Sequence, residues 1–294
     1  MVVSTPSWRA GLEQLESLIR ILEETEQELS TWRGDSTITR LNDQPSQKPF
    51  FVGDRLTRLF EDLFYWNKET AGAFDPAIGR LTDAWGIHGA GRRPDGTELD
   101  RARYRSGMVH LRLDSESEQL IKQRDVTIDV GGFGKGEGLD RVLTHAGKHS
   151  STPLLIDIGG QIAVNGAPPY RNGWTVDLAH PVERGVPALT VELKSGSIST
   201  SGGSERDIYA DCGRIGHILD PRTGLPVDSG VSVSVWHPRA LVADILSTAL
   251  YVMGPSAGLE WAENHHIAAT FLAASPDGAI EVRSTAEWTR QFSF

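Results

Sequence analysis

The sequence contains a single cysteine, Cys212, among 294 residues. A disulfide framework and a cysteine-rich zinc or iron–sulfur site are therefore excluded, because each of them needs several thiols. A lone cysteine with a distant histidine can act as a nucleophile, but most single cysteines are packing residues. We expect the packing role for Cys212.

The chain also lacks an excess of positive charge and a long hydrophobic run. It has 29 Lys and Arg against 39 Asp and Glu, a net charge of −10, so general binding to nucleic acid or to an anionic membrane is not expected. The most apolar windows, 243–253 and 267–274, are too short to span a bilayer. The first residues show no basic segment followed by an apolar one. We expect a cytoplasmic protein as written, and a periplasmic one if a leader was removed.

The hydrophobic content of 39% and the charged content of 23% are those of an ordinary globular protein. Helical periodicity over 8–30 and 54–70 precedes a region dominated by strands, into which helices over 134–146 and 241–253 are inserted. This order predicts an α+β fold with mixed, mainly antiparallel sheets and packed helices. Without repeats or an obvious linker, a single domain over 1–294 is expected. Strands are predicted over 109–113, 120–128, 154–158, 161–164, 174–179, 188–193 and 231–236.

A glycine-rich segment, Asp129-Val-Gly-Gly-Phe-Gly-Lys-Gly-Glu-Gly-Leu-Asp140, follows a predicted strand and precedes a predicted helix. Glycines permit close backbone approach, and a helix N-terminus offers free N–H groups and partial positive charge. Lys135 adds a full charge, which favours a phosphate-binding turn. The spacing matches neither common phosphate-loop pattern, so a simple tight turn is the alternative.

The predicted helix over 241–253 is apolar nearly all round, which indicates a buried helix. A carboxylate in such a helix is costly unless it is paired or binds a cation. Asp244 and Thr248 lie four residues apart and present two oxygens on one face, which suits Mg²⁺. The alternative is that Asp244 caps the start of the helix.

Three further segments carry polar or aromatic side chains. The first is Ser199-Thr-Ser-Gly, where hydroxyls and glycine predict a turn after a strand. In the second, 217–226, His217 is paired with Asp220 before a turn that contains Pro and Gly. His217 can serve as a general base, although a lone histidine is more often structural. In the third, Gly72-Ala-Phe-Asp-Pro, Phe74 can stack on a ring, or the segment merely ends a helix. Trp32 is a core aromatic by default, and His88, His265 and His266 show no ligand spacing.

Together and in this order, these segments resemble the ApbE family of flavin transferases. The resemblance covers about residues 10–275, and each motif is weak alone. It implies an ApbE-like (T-fold-like) architecture. The matching pieces are 30–42, 72–81 with Trp85-Gly86, 129–140, 156–160, 199–202, 217–226 and 243–254.

The resemblance also implies an activity: transfer of FMN from FAD to a Ser or Thr hydroxyl of a target flavoprotein, with Mg²⁺ and release of AMP. His217 would deprotonate the acceptor hydroxyl. The Gly132 carbonyl, Asp244 and Thr248 would bind Mg²⁺, Asp244 being essential to catalysis. The FAD site would be lined by Trp32, Ala73, Phe74, Asp75, Asp129, Lys135 and Leu219.

The chain departs from the family pattern in three ways. The N-terminal strand that carries Met-Gly-Thr in family members is not seen, nor is the signal with its lipid-bearing cysteine, and Gly134 stands where alanine is common. The missing strand leaves an alternative function open: an FAD-binding protein or FAD pyrophosphatase that does not modify a protein. A structural or interaction protein on the same scaffold is the third hypothesis.

Overall fold

The computed structural model describes residues 1–3, 7–149, 152–183, 185–203, 207–210, 213–227, 230–275 and 278–292. Cys212 lies outside the described residues, so its packing role stays a prediction. The helices of the described part are α1 (Trp8–Leu29), α2 (Thr37–Asp43), α3 (Asp54–Glu69), α4 (Gly79–Trp85), α5 (Gly96–Tyr104), α6 (Gly134–His149), α7 (Ala240–Met253), α8 (Pro255–Asn264) and α9 (Ala286–Gln291), with a 3₁₀ turn at Met108–His110. The strands are β1 (Val2–Val3), β2 (Pro49–Phe51), β3 (Leu111–Asp114), β4 (Gln119–Lys122), β5 (Leu154–Ile158), β6 (Gln161–Asn165), β7 (Trp174–Ala179), β8 (Pro187–Leu193), β9 (Ser195–Gly202), β10 (Ile208–Ala210), β11 (Gly213–Ile215), β12 (Leu219–Asp220), β13 (Leu225–Pro226), β14 (Val231–His237), β15 (Ala268–Ala274) and β16 (Ile280–Ser284).

These elements form two compact units. The first unit comprises residues 1–26, 133–205 and 229–294, and the second comprises 27–132 and 206–228. Each unit is defined by the contacts among its own residues. The expectation of a single domain stays a prediction.

In the first unit, seven of the described strands form an antiparallel sheet in the order β1-β5-β6-β9-β14-β15-β16, and β7 and β8 form a separate two-stranded sheet. The strands predicted over 154–158 and 161–164 are confirmed as β5 and β6, which form a hairpin. Gly159 and Gly160 join these strands with φ of 55° and 87°, the left-handed conformation that a two-residue hairpin loop of this kind requires.

Helix α7 packs against the central strands β9 and β14 and against α6. Nearly all of its residues are buried, as its apolar sequence predicts. A second apolar cluster lies between sheet strands, the β7–β8 hairpin and α9. Its members include Val164, Val176, Leu178, Val191, Leu193, Ile198, Leu272 and Trp288.

In the second unit, the described strands form a small antiparallel sheet, β2-β4-β3, and two short hairpins, β10-β11 and β12-β13. Trp85 packs in an apolar cluster with Leu81, Ile215 and Leu219, and its indole N–H donates to the Gly224 carbonyl at 2.8 Å. This buried hydrogen bond satisfies the only polar atom of the Trp85 side chain.

Most predicted elements are confirmed, and the exceptions have physical reasons. The strand predicted over 120–128 ends at Lys122. The Ser199 segment, predicted as a turn, is the second half of strand β9 and pairs with β14. Its serines gave no hydrophobic alternation, because they face polar partners on α7 rather than an apolar core.

Candidate functional site

The glycine-rich segment forms a turn at 131–133 and the first turns of α6. The helix begins at Gly134, so Lys135 and Gly136 lie in the turn whose backbone N–H groups have no partner within the helix. A Cβ on Gly136 would lie 2.5 Å from the Ala240 carbonyl oxygen and 2.7 Å from Leu241 Cα. Glycine is therefore required at this position for α6 and α7 to pack together.

Asp244 lies in the second turn of α7, and the residue is 2% exposed. Its carboxylate accepts hydrogen bonds from Lys135 Nζ at 2.9 Å, from the Gly136 N–H at 3.0 Å and from Ser199 Oγ at 3.2 Å. The interpretation of Asp244 as the cap of its own helix is wrong, because α7 begins at Ala240. Asp244 instead caps the N-terminus of the neighbouring helix α6.

A chain of buried hydroxyls continues from this carboxylate. Ser247 Oγ lies 3.1 Å from Ser199 Oγ and 3.0 Å from Ser201 Oγ. Thr248 Oγ1 donates to the Asp244 backbone carbonyl at 3.2 Å. We call Lys135, Gly136, Ser199, Asp244 and Ser247 the carboxylate cluster. All of its members belong to the first unit.

Asp140 on α6 completes a reciprocal arrangement between the two helices. Its carboxylate accepts from the Ala240 N–H at 2.5 Å and from the Leu241 N–H at 3.1 Å, so it caps α7 as Asp244 caps α6. Arg239, the residue before α7, makes no side-chain cap of its own. The two carboxylates thus fix the register of α6 against α7.

Because of the buried carboxyl group of Asp140, we expect the free energy of unfolding to depend on pH. Burial raises the pKa of its carboxyl to about 6, although hydrogen bonds from Ala240 and Leu241 oppose this. Because the folded-state pKa lies above the unfolded value, the free energy of unfolding falls as the pH rises from about 4 to about 6, by up to about 1.4 kcal/mol per pH unit. Asp140→Asn keeps an acceptor oxygen and removes the charge, so its stability relative to wild type should increase over this interval and stay constant above it. Urea unfolding at several pH values measures the difference; a difference independent of pH would contradict the prediction.

The donor atoms of the carboxylate cluster fit Mg²⁺ better than a softer metal. Among the described residues, no group of three or more His, Cys, Asp or Glu side chains could hold a metal ion. Mg²⁺ needs no such group, because it is commonly bound by one or two carboxylates with hydroxyls, carbonyls, water and substrate phosphates. Asp244 and the hydroxyls around it are oxygen donors of this kind.

In the second unit, Asp129 accepts a hydrogen bond from His88 Nε2 at 2.6 Å and from the Gly131 N–H at 2.8 Å. Burial raises the pKa of Asp129, but the hydrogen bond and charge of His88 and the bond from Gly131 outweigh it, so the pKa is lowered. The ring of His88 also contacts the Trp32 ring edge to face, at a centroid distance of 5.3 Å. We call Trp32, His88 and Asp129 the imidazole cluster.

Trp32 is 73% exposed, so the default interpretation as a core aromatic is wrong. Its exposure agrees with the binding role that the resemblance implies. The segment before Asp129 is held by Asn42, whose amide donates to the Ile128 carbonyl at 3.0 Å and accepts from the Ile128 N–H at 2.7 Å. Asn42 itself is anchored by the buried Lys122, which donates to the Asn42 carbonyl at 2.6 Å.

The segment at 72–76 follows the end of α3, so the prediction of a helix-ending turn is confirmed. Phe74 is 2% exposed and therefore cannot stack on a ligand ring in this conformation. Ala73 is also buried. The Asp75 carboxylate accepts from the Ala77 N–H at 2.8 Å and from the Met108 N–H at 3.0 Å. Burial raises the pKa of Asp75, while these backbone hydrogen bonds oppose it.

His217 is hydrogen-bonded to a different carboxylate from the one that the sequence suggested. Its Nδ1 lies 3.1 Å from Asp207 Oδ1, and Asp207 is held from its other side by Arg214 at 2.7 Å. Asp220 is paired with Arg222 instead. Burial raises the pKa of Asp207, but the hydrogen bonds from His217 and Arg214 outweigh it and lower the pKa.

The structure therefore collects the sequence-predicted residues into distinct groups. Asp244 and Lys135 are in direct contact, and Thr248 binds the Asp244 backbone. Leu219 is a buried member of the apolar cluster around Trp85. Gly132 is the last residue of the 27–132 segment of the second unit and lies two residues before the start of α6. The sequence did not predict two residues of these groups. Nothing in the sequence distinguishes Asp207 from other aspartates, and His88 shows no ligand spacing with another residue.

Comparisons with known proteins show the family of the chain. The ApbE family model matches residues 2–271. The FAD:protein FMN transferase of Vibrio cholerae is 32% identical over 276 residues, covering 90% of this chain and 81% of that protein. The protein of the same name from Treponema pallidum is 33% identical over 257 residues, covering 82% and 71%.

Two solved structures are similar over almost their whole length. The ApbE protein of Thermotoga maritima has a TM-score of 0.88 at 28% identity, covering 100% of this chain and 95% of that one. The apo form of the flavinyl transferase ApbE of Pseudomonas stutzeri has a TM-score of 0.85 at 29% identity, covering 99% and 90%. The α+β fold and the family resemblance are thereby confirmed.

No helix in the described part of the chain is long and apolar enough to cross a membrane.

Proposed function

This chain belongs to the ApbE family, and from that premise we propose that it is an FAD:protein FMN transferase. The reaction moves the FMN moiety of FAD to a Ser or Thr hydroxyl of a target flavoprotein, requires Mg²⁺ and releases AMP. One observation carries the proposal: a buried carboxylate, Asp244, on an otherwise apolar helix, held by Lys135 and the glycine-rich N-terminus of α6. A buried carboxylate is costly unless it is paired or binds a cation, and Asp244 lies beside the proposed phosphate-binding turn.

The proposed Mg²⁺ ligands are Asp244, Thr248 and the Gly132 carbonyl. When bound, the metal would neutralise phosphate charge during transfer. Lys135 and the N-terminus of α6 would attract the FAD pyrophosphate, because both are positive. The proposed FAD site also includes Trp32, Ala73, Phe74, Asp75, Asp129 and Leu219. Since Phe74 is buried, its contribution would come from its backbone.

His217 is proposed as the base for the acceptor hydroxyl. The Asp207 carboxylate is an acceptor, so it selects the tautomer of His217 that carries its proton on Nδ1 and leaves Nε2 free to accept one. As the acceptor oxygen bonds to the FMN phosphorus, the bond to AMP breaks and the hydroxyl proton passes to Nε2. Asp207 and Arg214 orient the ring.

The activity is tested by incubating the protein with FAD, Mg²⁺ and a peptide that contains the Ser/Thr acceptor segment of a flavoprotein. We expect release of AMP and a peptide whose mass increases by that of the FMN moiety. AMP and free FMN with an unlabelled peptide would identify an FAD pyrophosphatase and overturn the transferase proposal. Absence of FAD binding would overturn both.

His217→Ala should slow FMN transfer by about 100-fold or more, since general base catalysis contributes factors of this size. FAD binding should change little, because the proposed role of His217 concerns the acceptor. His110→Ala is a matched control, because it removes another imidazole of the second unit, one that lies 3.1 Å from Arg124. Initial rates and FAD titrations measure both effects; an equal loss of rate and affinity would indicate a binding role instead.

A further inference from the structure

His88 lies in the turn that follows α4, where no proposed catalytic or binding residue has been assigned. Gly86, with φ of 62°, ends the helix in the left-handed conformation, and the chain then turns with Gly89 N–H bonding to the Gly86 carbonyl. This turn brings His88 to Asp129, which is 41 residues away in the sequence. The contact is therefore a product of the tertiary structure.

The bond between His88 Nε2 and Asp129 Oδ2, at 2.6 Å, is short for a nitrogen–oxygen hydrogen bond. Bonds between an imidazolium and a carboxylate are of this short, charge-assisted kind. The groups that act on the charge of His88 are Asp129, through its hydrogen bond and charge, and Asp83, and together they raise the pKa of His88 despite its partial burial. The bond fixes the plane of the imidazole ring.

The same ring contacts Trp32, so His88 connects a largely buried carboxylate to an exposed indole. The two rings meet at 77°, edge to face, and such a contact leaves at least one indole face uncovered by His88. With Trp32 73% exposed, that face is available to another planar ring. A carboxylate has acceptor positions for about four hydrogen bonds, so Asp129 can accept a further donor besides His88 and Gly131.

We propose that His88 is a positioning residue for FAD: its Nε2 holds the Asp129 carboxylate and its ring holds the Trp32 indole, so that both are presented to one planar heteroaromatic ring that carries an N–H donor. The inference rests on the proposed function, which places Trp32 and Asp129 in the FAD site. Both ring systems of FAD have this chemistry, the adenine through its amino group and the isoalloxazine through its imide N–H. Stacking on an aromatic side chain and a bond to a carboxylate would together favour FAD over a non-aromatic phosphate.

Two variants separate the two contacts. His88→Phe keeps a ring beside Trp32 and loses the donor to Asp129, whereas His88→Gln keeps a donor and loses the ring. Each should weaken FAD binding roughly 10-fold, the factor expected for one charge-assisted hydrogen bond or one stacking contact. The kcat of FMN transfer should stay within about 3-fold of wild type, because ring positioning affects KM.

His265→Ala is the matched control. His265 also stacks on a tryptophan, Trp261, at a centroid distance of 3.8 Å, but it directly follows α8 in the first unit, where no ligand residue is proposed. FAD affinity is measured by fluorescence titration, and separate titrations with AMP and with FMN show which ring system occupies the position. In wild type, FAD affinity should fall as the pH rises through the pKa of His88, and in His88→Phe this dependence should be absent.

The outcomes separate this inference from the proposed function. Wild-type protein that binds FAD, with both His88 variants weakened and the His265 variant unchanged, supports the positioning role. Wild-type affinity in both variants, with the pH dependence retained, overturns it and leaves the proposed function intact. A wild-type protein that does not bind FAD overturns the proposed function itself.

Discussion

Asp244→Asn is expected to reduce Mg²⁺-dependent FMN transfer by about 100-fold or more. The substitution removes the only carboxylate in the carboxylate cluster and hence the charge that would attract the cation; loss of supporting contacts at metal sites alone costs 10-fold to 100-fold. Asparagine retains an oxygen for the Gly136 N–H, so the packing of α6 on α7 should survive. FAD binding should be partly retained, because the proposed FAD residues of the imidazole cluster are unchanged.

AMP release as a function of Mg²⁺ concentration measures this effect. Asp140→Asn is the matched control, since Asp140 is the other carboxylate that joins α6 to α7, and it contacts the Ala240 and Leu241 N–H groups and Arg239. The control should keep its turnover and its Mg²⁺ dependence. Unchanged turnover in Asp244→Asn would show that the metal assignment is wrong.

Gly136→Ala is expected to lower the free energy of unfolding by about 3 kcal/mol, the upper part of the range for overpacking. The added methyl group would approach the backbone of Ala240 and Leu241 to within 2.9 Å or less, and backbone atoms cannot rotate away as a side chain can. The helices must separate, which also moves the Gly136 N–H from Asp244. We therefore expect the substitution to lower the free energy of unfolding and to weaken the hydrogen bond between Gly136 and Asp244 at the same time.

Gly147→Ala provides the comparison within the same helix. A Cβ at Gly147 meets nothing within 4 Å, so this substitution adds only helix propensity and should stabilise the protein by about 0.5–1 kcal/mol. Urea unfolding of both variants gives the two changes with opposite signs. Equal effects at the two positions would contradict the requirement for close packing at Gly136.

The candidate site was only partly predictable from the sequence. The proposed metal ligand Asp244 was predicted because a carboxylate in an apolar helix is a local anomaly that the sequence displays. The partner of His217 was predicted wrongly: Asp220 is closer in sequence, but it forms an ion pair with Arg222 in its own turn, while Asp207 reaches His217 from a separate segment. Sequence proximity does not predict which carboxylate binds His217, because arginine side chains also lie near each carboxylate.

The net charge is another property that the sequence gives for the whole chain but not for the candidate site. A net charge of −10 describes the chain as a whole, yet Asp244, one of its carboxylates, lies buried against Lys135 and a helix N-terminus. What the sequence by itself determined is everything encoded by local pattern: the amphipathic and buried helices, the β5–β6 hairpin, the glycine-rich start of α6 and the order of motifs that identifies the family. Only the tertiary structure decided that Asp244 caps α6, that Phe74 is buried, that Trp32 is exposed and that His88 joins Asp129. These contacts connect residues tens to more than a hundred positions apart, and periodicity reports only on neighbours within a few turns or strand residues.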